Sequence, residues 1–359
     1  MLETGELTAE VVKKTARAFG ADKVGIAPLD RWEGAPIQMD PRQIMPEAKS
    51  LVAMAFRVMR GSLRGVEEGT FFHNYSAMGY GGLTYLYIPM AVMNLCKFVE
   101  DHGYEAIPIG HQSDWRAIDN GGNLRAGASR PVAPGRAAPD VMVHLRIAAY
   151  LAGLGEIGYS KVFLTPEFGP RQRIGIILTE AELEPDPIYD GPPLCNRCMA
   201  CVRDCPGNAI SAEKTVKVTL AGREVEWGEV DLEACNVAFR GGRYAEEGET
   251  GGYMEALNGR EIEHSKYSPF TYKPRNVYNS GQAICGGRGC MRACMVSLEK
   301  RGVLTNSFHK PFRRSKPWLV DWSVPQEDAV AEVVADVTRD RERAGGSVPA
   351  AAAGEKEPD

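Results

Sequence analysis

Cysteines at 195, 198, 201 and 205, the last followed by Pro206, constrain this chain more than any other feature. That spacing wraps three thiolates round one face of a cubane and sends the fourth to a different centre, the pattern of a paired [4Fe–4S] site. A paired site needs a second cysteine group, which Cys235, Cys285, Cys290 and Cys294 supply. The crossed pattern assigns Cys195, Cys198, Cys201 and Cys294 to one cluster, and Cys205, Cys235, Cys285 and Cys290 to the other. A structural zinc site is the competing reading, but cysteines at consecutive two-residue gaps closed by Cys-Pro suit a tetrahedral ion poorly. A disulfide framework is weaker, because the chain is long and nothing in it looks like a secretory signal. Clusters imply a reducing compartment. Cys96, the ninth cysteine, sits in an apolar helical stretch and reads as a small buried core thiol.

With 359 residues and 44% hydrophobic content the chain can bury a substantial core, and about two domains are expected. A net charge of −5 gives no basic field for nucleic acid. Residues 1–27 intersperse Glu3, Glu6, Glu10, Lys13, Lys14 and Arg17 with apolar residues, unlike an export signal. No membrane span is expected, since no run of about 18 charge-free apolar residues stands out. These readings place the protein in the cytoplasm.

Thr8 caps a helix over 8–19, Lys23 to Pro28 and Ser50 to Phe56 read as strands, and a helix is expected from about Tyr85 to His102. Glycines 79, 81 and 82 among His73, Tyr75, Tyr80, Tyr85 and Tyr87 suggest a loop over a pocket, with one tyrosine lining it. Residues 110–139 are rich in Gly, Pro, Ser and Arg and read as a functional loop. Val141 to Ala152 is expected to be helical, with Asp140 as its cap, and Arg173 to Leu178 to be a strand. The proline-rich stretch 184–193 marks a boundary before the cysteine run, and 213–233 and 240–279 read as insertions with hairpin-like punctuation. The expected divisions are 1–188, 189–310, a terminal segment 311–344 packing back, and a disordered tail 345–359.

The stretch Ala148-Ala149-Tyr150-Leu151-Ala152-Gly153-Leu154-Gly155-Glu156-Ile157-Gly158-Tyr159, then Leu164-Thr165-Pro166-Glu167-Phe168-Gly169-Pro170-Arg171, then the cysteine run, resembles the corrinoid-dependent iron–sulfur reductases. That family comprises reductive dehalogenases and epoxyqueuosine reductases, and the similarity covers roughly 140–300. The resemblance implies an α/β (α+β) chain: a nitroreductase-like domain holding base-off cobalamin, and a ferredoxin-like domain with two [4Fe–4S] clusters that feeds the cobalt electrons. It implies corrin contacts from Gly153, Leu154, Gly155, Glu156, Gly158, Tyr159, Phe168 and Arg171, with His144 added from the preceding helix. Glycines at 153, 155 and 158 allow positive φ and close approach of a flat ligand.

Where the family places Lys or Arg after the Gly158 equivalent, this chain has Tyr159, with Lys161 two residues on. Tyr159 is therefore the expected proton donor, with Asp140, Tyr75 and Lys161 as further catalytic candidates. Asp140 lies one residue from the position of the acid that epoxyqueuosine reductases use. The function so implied is reduction of a small organic substrate, with ferredoxin or flavodoxin as electron donor and a homodimer allowed. The alternatives are an epoxyqueuosine reductase-like enzyme acting on tRNA, disfavoured by the acidic charge, and a carrier or corrinoid activator without a substrate of its own. The large segment before the cysteine run weighs against a carrier.

Overall fold

The computed structural model describes residues 6–111, 129–139, 141–239 and 284–311, with shorter pieces at 243–244, 254–257, 260–263, 318–321 and 323. Helix α1 (Ala9–Ala18) is capped by Thr8, whose hydroxyl accepts from the Val11 amide at 3.3 Å. Strands β1 (Lys23–Pro28) and β2 (Ser50–Arg57) pair antiparallel, and helix α2 (Arg60–Glu68) follows. A continuous helix then runs through α3 (Phe72–Asn74), a π-helical segment (Tyr75–Tyr87) and α4 (Ile88–Glu100). The glycine-rich tyrosine stretch is thus helical and not a loop. A wide π turn tolerates glycines whose missing side chains let neighbours close in.

Strand β3 (Ala106–Ile109), helix α5 (Leu145–Leu151), the short pair β4 (Glu156–Ile157) and β5 (Phe163–Leu164), and strand β6 (Gln172–Thr179) complete the first half. The main sheet has the order β1-β2-β6-β3 and is antiparallel throughout. Strand β2 is apolar from Leu51 to Phe56 because both of its faces are covered. Leu51, Ala53 and Ala55 join Ala148, Ala149 and Leu151 of α5 in one core. Val52, Met54 and Phe56 join Val12 and Ala16 of α1 and Ile88, Val92 and Leu95 of α4 in another. Alternation along one strand therefore serves two cores.

The second half contributes α6 (Ala200–Arg203), the hairpin β7 (Ile210–Leu220) and β8 (Arg223–Val230), α7 (Leu232–Phe239), the strands β9 (Arg243–Tyr244), β10 (Met254–Leu257) and β11 (Arg260–Glu263), then α8 (Ile284–Arg288) and α9 (Cys290–Arg301). Met295 of α9 is buried with Val58, Leu63, Phe72 and Tyr75, and Leu298 with Leu164 and Leu194. The cysteine-bearing helix is therefore wedged into the first half. Residues Met1–Leu319 cluster as one compact unit and Val320–Asp359 as a second.

Two other expectations are revised. Phe72–Glu100 is 29 residues long with a window of mean hydropathy 1.2, long and apolar enough by composition to cross a bilayer, and 44% of that window is buried. Its inward residues line the second core. The helix read from Val141 begins only at Leu145 and is capped by His144, whose Nδ1 accepts from the Ile147 amide at 3.4 Å. Asp140 and most of the 110–139 loop lie outside the described residues, as do residues 324–359.

Candidate functional site

Cys195, Cys198 and Cys201 meet Cys294 of α9 in one pocket, whose other walls include Gly158, Tyr159, Ser297 and Arg301. The loop carrying the first three turns sharply, with Arg197 at φ 51° and Met199 at φ 58°. Left-handed backbone is costly for such side chains, and here it curls the loop round a common centre. Hydrogen bonds reach the sulfurs from the protein. The Tyr159 amide donates to Cys195 Sγ at 3.3 Å, and Cys198 Sγ and the Ser297 hydroxyl are 3.4 Å apart. The Cys195 amide donates to the half-buried Glu156 carboxylate, and the Arg301 guanidinium donates to the Leu194 carbonyl.

Helix periodicity explains the α9 side of this pocket. Cys290, Cys294, Ser297 and Arg301 follow the spacing i, i+4, i+7, i+11, which places them along one stripe. One turn before Cys294, Cys290 faces a different set of thiols: the charges that act on it most are those of Cys205 and Cys235, then Cys201. Cys235 in turn feels Cys205. Cys205 Sγ accepts from the Ala209 amide at 3.3 Å. Cys285 comes from α8, and the amide of Gly289 donates to its carbonyl at 2.5 Å.

Burial, and then the neighbouring thiols, push Cys290 up to about 12 and Cys201 up to about 11, with Cys294 raised well above its ordinary value. Thiols so crowded cannot all ionise without a cationic centre to hold them. Cys198 differs. Burial raises it too, but the Ser297 hydroxyl, the Ala200 amide, Arg301 and Arg203 together outweigh that and lower it. Among the described residues, no three His, Cys, Asp or Glu side chains converge closely enough to hold a single metal ion.

The glycine turn after α5 is closed by the protein itself. Gly153 has φ +74°, and a Cβ there would lie 2.1 Å from the Pro187 carbonyl oxygen. A Cβ on Gly155 would lie 2.0 Å from the Leu164 carbonyl oxygen. Gly153 alone of the three turn glycines has positive φ, and the close approach is to backbone and not to an open face. Leu154 is buried beside these contacts, and Gly158 packs on the Leu164 side chain.

The segment expected to contact a corrin through Phe168 and Arg171 is also enclosed. Phe168 is buried, with Arg57 5.9 Å from its ring centre. Arg171 is 1% exposed and donates to the Val58 carbonyl at 2.6 Å and to Asn306 at 3.0 Å. Tyr159 is 6% exposed, and its hydroxyl donates to the carbonyls of Ser211 at 3.0 Å and Ala212 at 3.3 Å. Its proton faces the β7 backbone, so this placement suits orientation of Cys195 and not proton delivery.

The remaining candidates gather elsewhere. Tyr75 is 1% exposed, accepts from Arg173 Nη2 at 3.2 Å and approaches Met291 Sδ at 3.5 Å. Burial, the largest influence, raises it. The Arg173 guanidinium lies 4.8 Å from the Tyr80 ring centre, and the Tyr80 and Tyr85 hydroxyls are 3.4 Å apart. His144 is lowered to about 4 by burial, then by Arg146 and Lys161. Lys161, itself at φ 62°, stands 5.4 Å from the Trp227 ring centre.

Arg146 and Arg173 escape a search for motifs. The signal available in the sequence is weak: Arg146 sits in LRIAAYL on an exposed helix position, and Arg173 opens the apolar run RIGIIL directly after Gln172.

A tetrachloroethene reductive dehalogenase of Desulfitobacterium hafniense is 32% identical over 236 residues, covering 60% of this chain and 41% of that protein. An epoxyqueuosine reductase of Gloeobacter violaceus is 26% identical over 232 residues, covering 56% of this chain and 61% of that one. Among solved structures, a catabolic reductive dehalogenase in complex with 3-bromo-4-hydroxybenzoic acid superposes with a TM-score of 0.45 at 23% identity, over 65% of this chain and 30% of that one. No protein-family model matches the chain. The chain spans about two fifths of the length of the dehalogenases it matches. The relatives carry the two names that the motif resemblance pointed to.

Proposed function

We propose that this chain is an iron–sulfur reductase of the corrinoid-dependent type, closest in character to a reductive dehalogenase, which moves single electrons through two [4Fe–4S] clusters towards a small organic substrate. The observation that carries this reading is the meeting of Cys195, Cys198 and Cys201 with Cys294 round one pocket while Cys290, one turn away on α9, faces Cys205 and Cys235. Those two groups match the crossed ligation of a paired cluster site.

The donor set fits the clusters. Cysteine thiolates would hold them, and amides of Tyr159 and Ala209 with the Ser297 hydroxyl would tune them through hydrogen bonds to sulfur. When bound, a corrinoid would supply the bond-breaking chemistry that clusters alone do not. The residues named for its cradle do not form an open one, because Gly153, Gly155, Phe168 and Arg171 are enclosed by the fold. The corrinoid part of the proposal is therefore supported by sequence similarity to named reductases.

On the substrate side, Tyr75 is a positioning residue that holds Arg173, and Arg173 in turn lies over Tyr80. Tyr80 and Tyr85, half-buried and hydroxyl to hydroxyl, are the groups placed to hold and move a proton. A reducing compartment and an external one-electron donor complete the reading.

Anaerobic reconstitution with iron and sulfide tests it. The whole chain should take up about eight iron, and Cys294→Ala and Cys290→Ala should each retain about four. Zinc in place of iron, or equal loss of both centres' signals in both variants, would overturn the crossed assignment.

A further inference from the structure

Of the cysteines in the two groups, Cys198 and Cys235 are exposed, and their surroundings differ in charge. Cys198 is ringed by arginines. Arg203, exposed in the last turn of α6, donates from Nη1 to the Cys198 carbonyl at 3.1 Å. Arg197 and Arg301 line one pocket with Cys198 and Ser297. Arg301 stands one turn of α9 beyond Ser297, whose hydroxyl is 3.4 Å from Cys198 Sγ, and Arg197 lies 6.0 Å from the Tyr159 ring centre. Carboxylates beside these cations are already engaged: Glu226 with Arg197, Asp204 with Arg292 at 3.9 Å, Glu299 with Arg60 at 3.8 Å, and Glu156 with the Cys195 amide. Among the described residues neither Arg203 nor Arg301 pairs with a carboxylate; each is held by a carbonyl, so both keep their full charge at the mouth of the pocket.

Cys235 is set differently. Its amide donates to the Asp231 carbonyl at 3.0 Å, and the turn before it carries Asp231 and Glu233, while α7 contains no Lys or Arg. A helix C-terminus favours cations in any protein, so Arg203 and Arg301 at the ends of α6 and α9 would by themselves show nothing. The discriminating observation is that they flank an exposed cysteine of one group, whereas the exposed cysteine of the other follows a turn of acids. The chain as a whole has a net charge of −5, so the positive rim is local.

We propose that the face round Cys198, bearing Arg197, Arg203 and Arg301, is the docking surface for a small acidic electron-carrier protein of the ferredoxin kind. Electron transfer between proteins falls off steeply with distance, so the carrier has to dock where a ligand sulfur nears the surface. Each encounter oxidises the carrier by one electron and reduces the centre held by Cys195, Cys198, Cys201 and Cys294 by one, and no bond forms or breaks. Complementary charge steers such an encounter and fixes its register more than it sets the final affinity. The same carrier approaching Cys235 would meet the like charge of Asp231 and Glu233. Current would then enter at the Cys198 group and pass along α9 to the Cys290 group. The inference rests on the iron–sulfur reading for what the carrier delivers, and not for where it docks.

The test uses the full chain, reconstituted anaerobically with iron and sulfide, and an acidic [2Fe–2S] ferredoxin as the probe. Association and dissociation rates are read by surface plasmon resonance at low and high salt, and iron is counted in every variant. Arg203→Glu should slow association about 10-fold at low salt with dissociation little changed, and Arg203→Gln, which can still donate to the Cys198 carbonyl, about 3-fold. Lys97→Glu makes the same change in net charge at an exposed position of α4 and should leave association within about twofold of wild type. High salt should erase the differences, because screening shortens the reach of exposed charge. Equal association rates in wild type and both Arg203 variants would overturn the surface, as would a Lys97→Glu variant slowed as strongly as Arg203→Glu. If the reversal at Arg203 disturbs the cysteine loop and iron is lost, Arg203→Gln with its iron retained decides by the same criterion. Ferredoxin bound through Arg203 by a chain that takes up no iron would keep the docking surface and remove the cluster reading. A chain that holds its iron and does not bind the ferredoxin would do the reverse.

Discussion

At the scale of single residues, similarity and geometry divide the work differently. Tyr159 stands where related reductases place a cation, yet its hydroxyl is held by the Ser211 and Ala212 carbonyls. Tyr159→Phe should therefore cost about 1 kcal/mol in denaturant unfolding and leave turnover within a few-fold of wild type. A loss of turnover of about a hundredfold or more with intact clusters would restore the proton-donor role. Gly155 faces the Leu164 carbonyl oxygen at a distance no side chain tolerates. Gly155→Val should give little soluble, folded protein, seen by circular dichroism before any ligand is added.

His144 gives a prediction in pH. Its folded value near 4 lies below the ordinary 6.5, since burial disfavours the imidazolium. Stability should be full above about pH 6.5 and fall as pH drops towards 4, by at most about 3 kcal/mol. His144→Asn keeps a capping acceptor and removes the titration, so urea midpoints of the two proteins should converge at low pH and show a shallower slope in the variant.

At the scale of elements, α9 is the piece on which most depends. Its stripe of Cys290, Cys294, Ser297 and Arg301 brings both cysteine groups and two polar neighbours of sulfur to one side. Ser297→Ala should remove the hydroxyl beside Cys198 and move the midpoint potential of the cluster in that pocket to more negative values, read by redox titration with EPR detection, without loss of iron. The helix that aligns Cys290, Cys294, Ser297 and Arg301 was not read from the sequence, but the two cysteine groups were legible there from their spacing. So were β1, β2, β6 and the 213–233 hairpin, whose apolar runs and glycine turn are local signals. The 73–87 stretch was not. A π-helix differs from a loop by tertiary contacts, among them Tyr75 packing on Met295 and reaching Arg173, and no local pattern announces those partners. The Val141 helix start failed for a similar reason: any of several polar residues can cap, and the fold selected His144.

At the scale of the whole molecule, the cysteine-bearing segments and the α/β half form one unit, since Met295 and Leu298 are buried against residues from the first half. Arg171 reinforces this by tying Val58 to Asn306. One further consequence comes from Cys290 and Cys294 sharing a helix. Four residues of α-helix rise about 6 Å, and that interval is as stiff as the hydrogen bonds within it. On the proposed reading, two redox centres are then bolted to one short rod. Their tunnelling distance cannot be lengthened by a moving loop or a hinging domain, so no conformational gate can act on the transfer between them. Control over current through this protein must be exercised at its terminals, where an electron donor docks or where the acceptor binds.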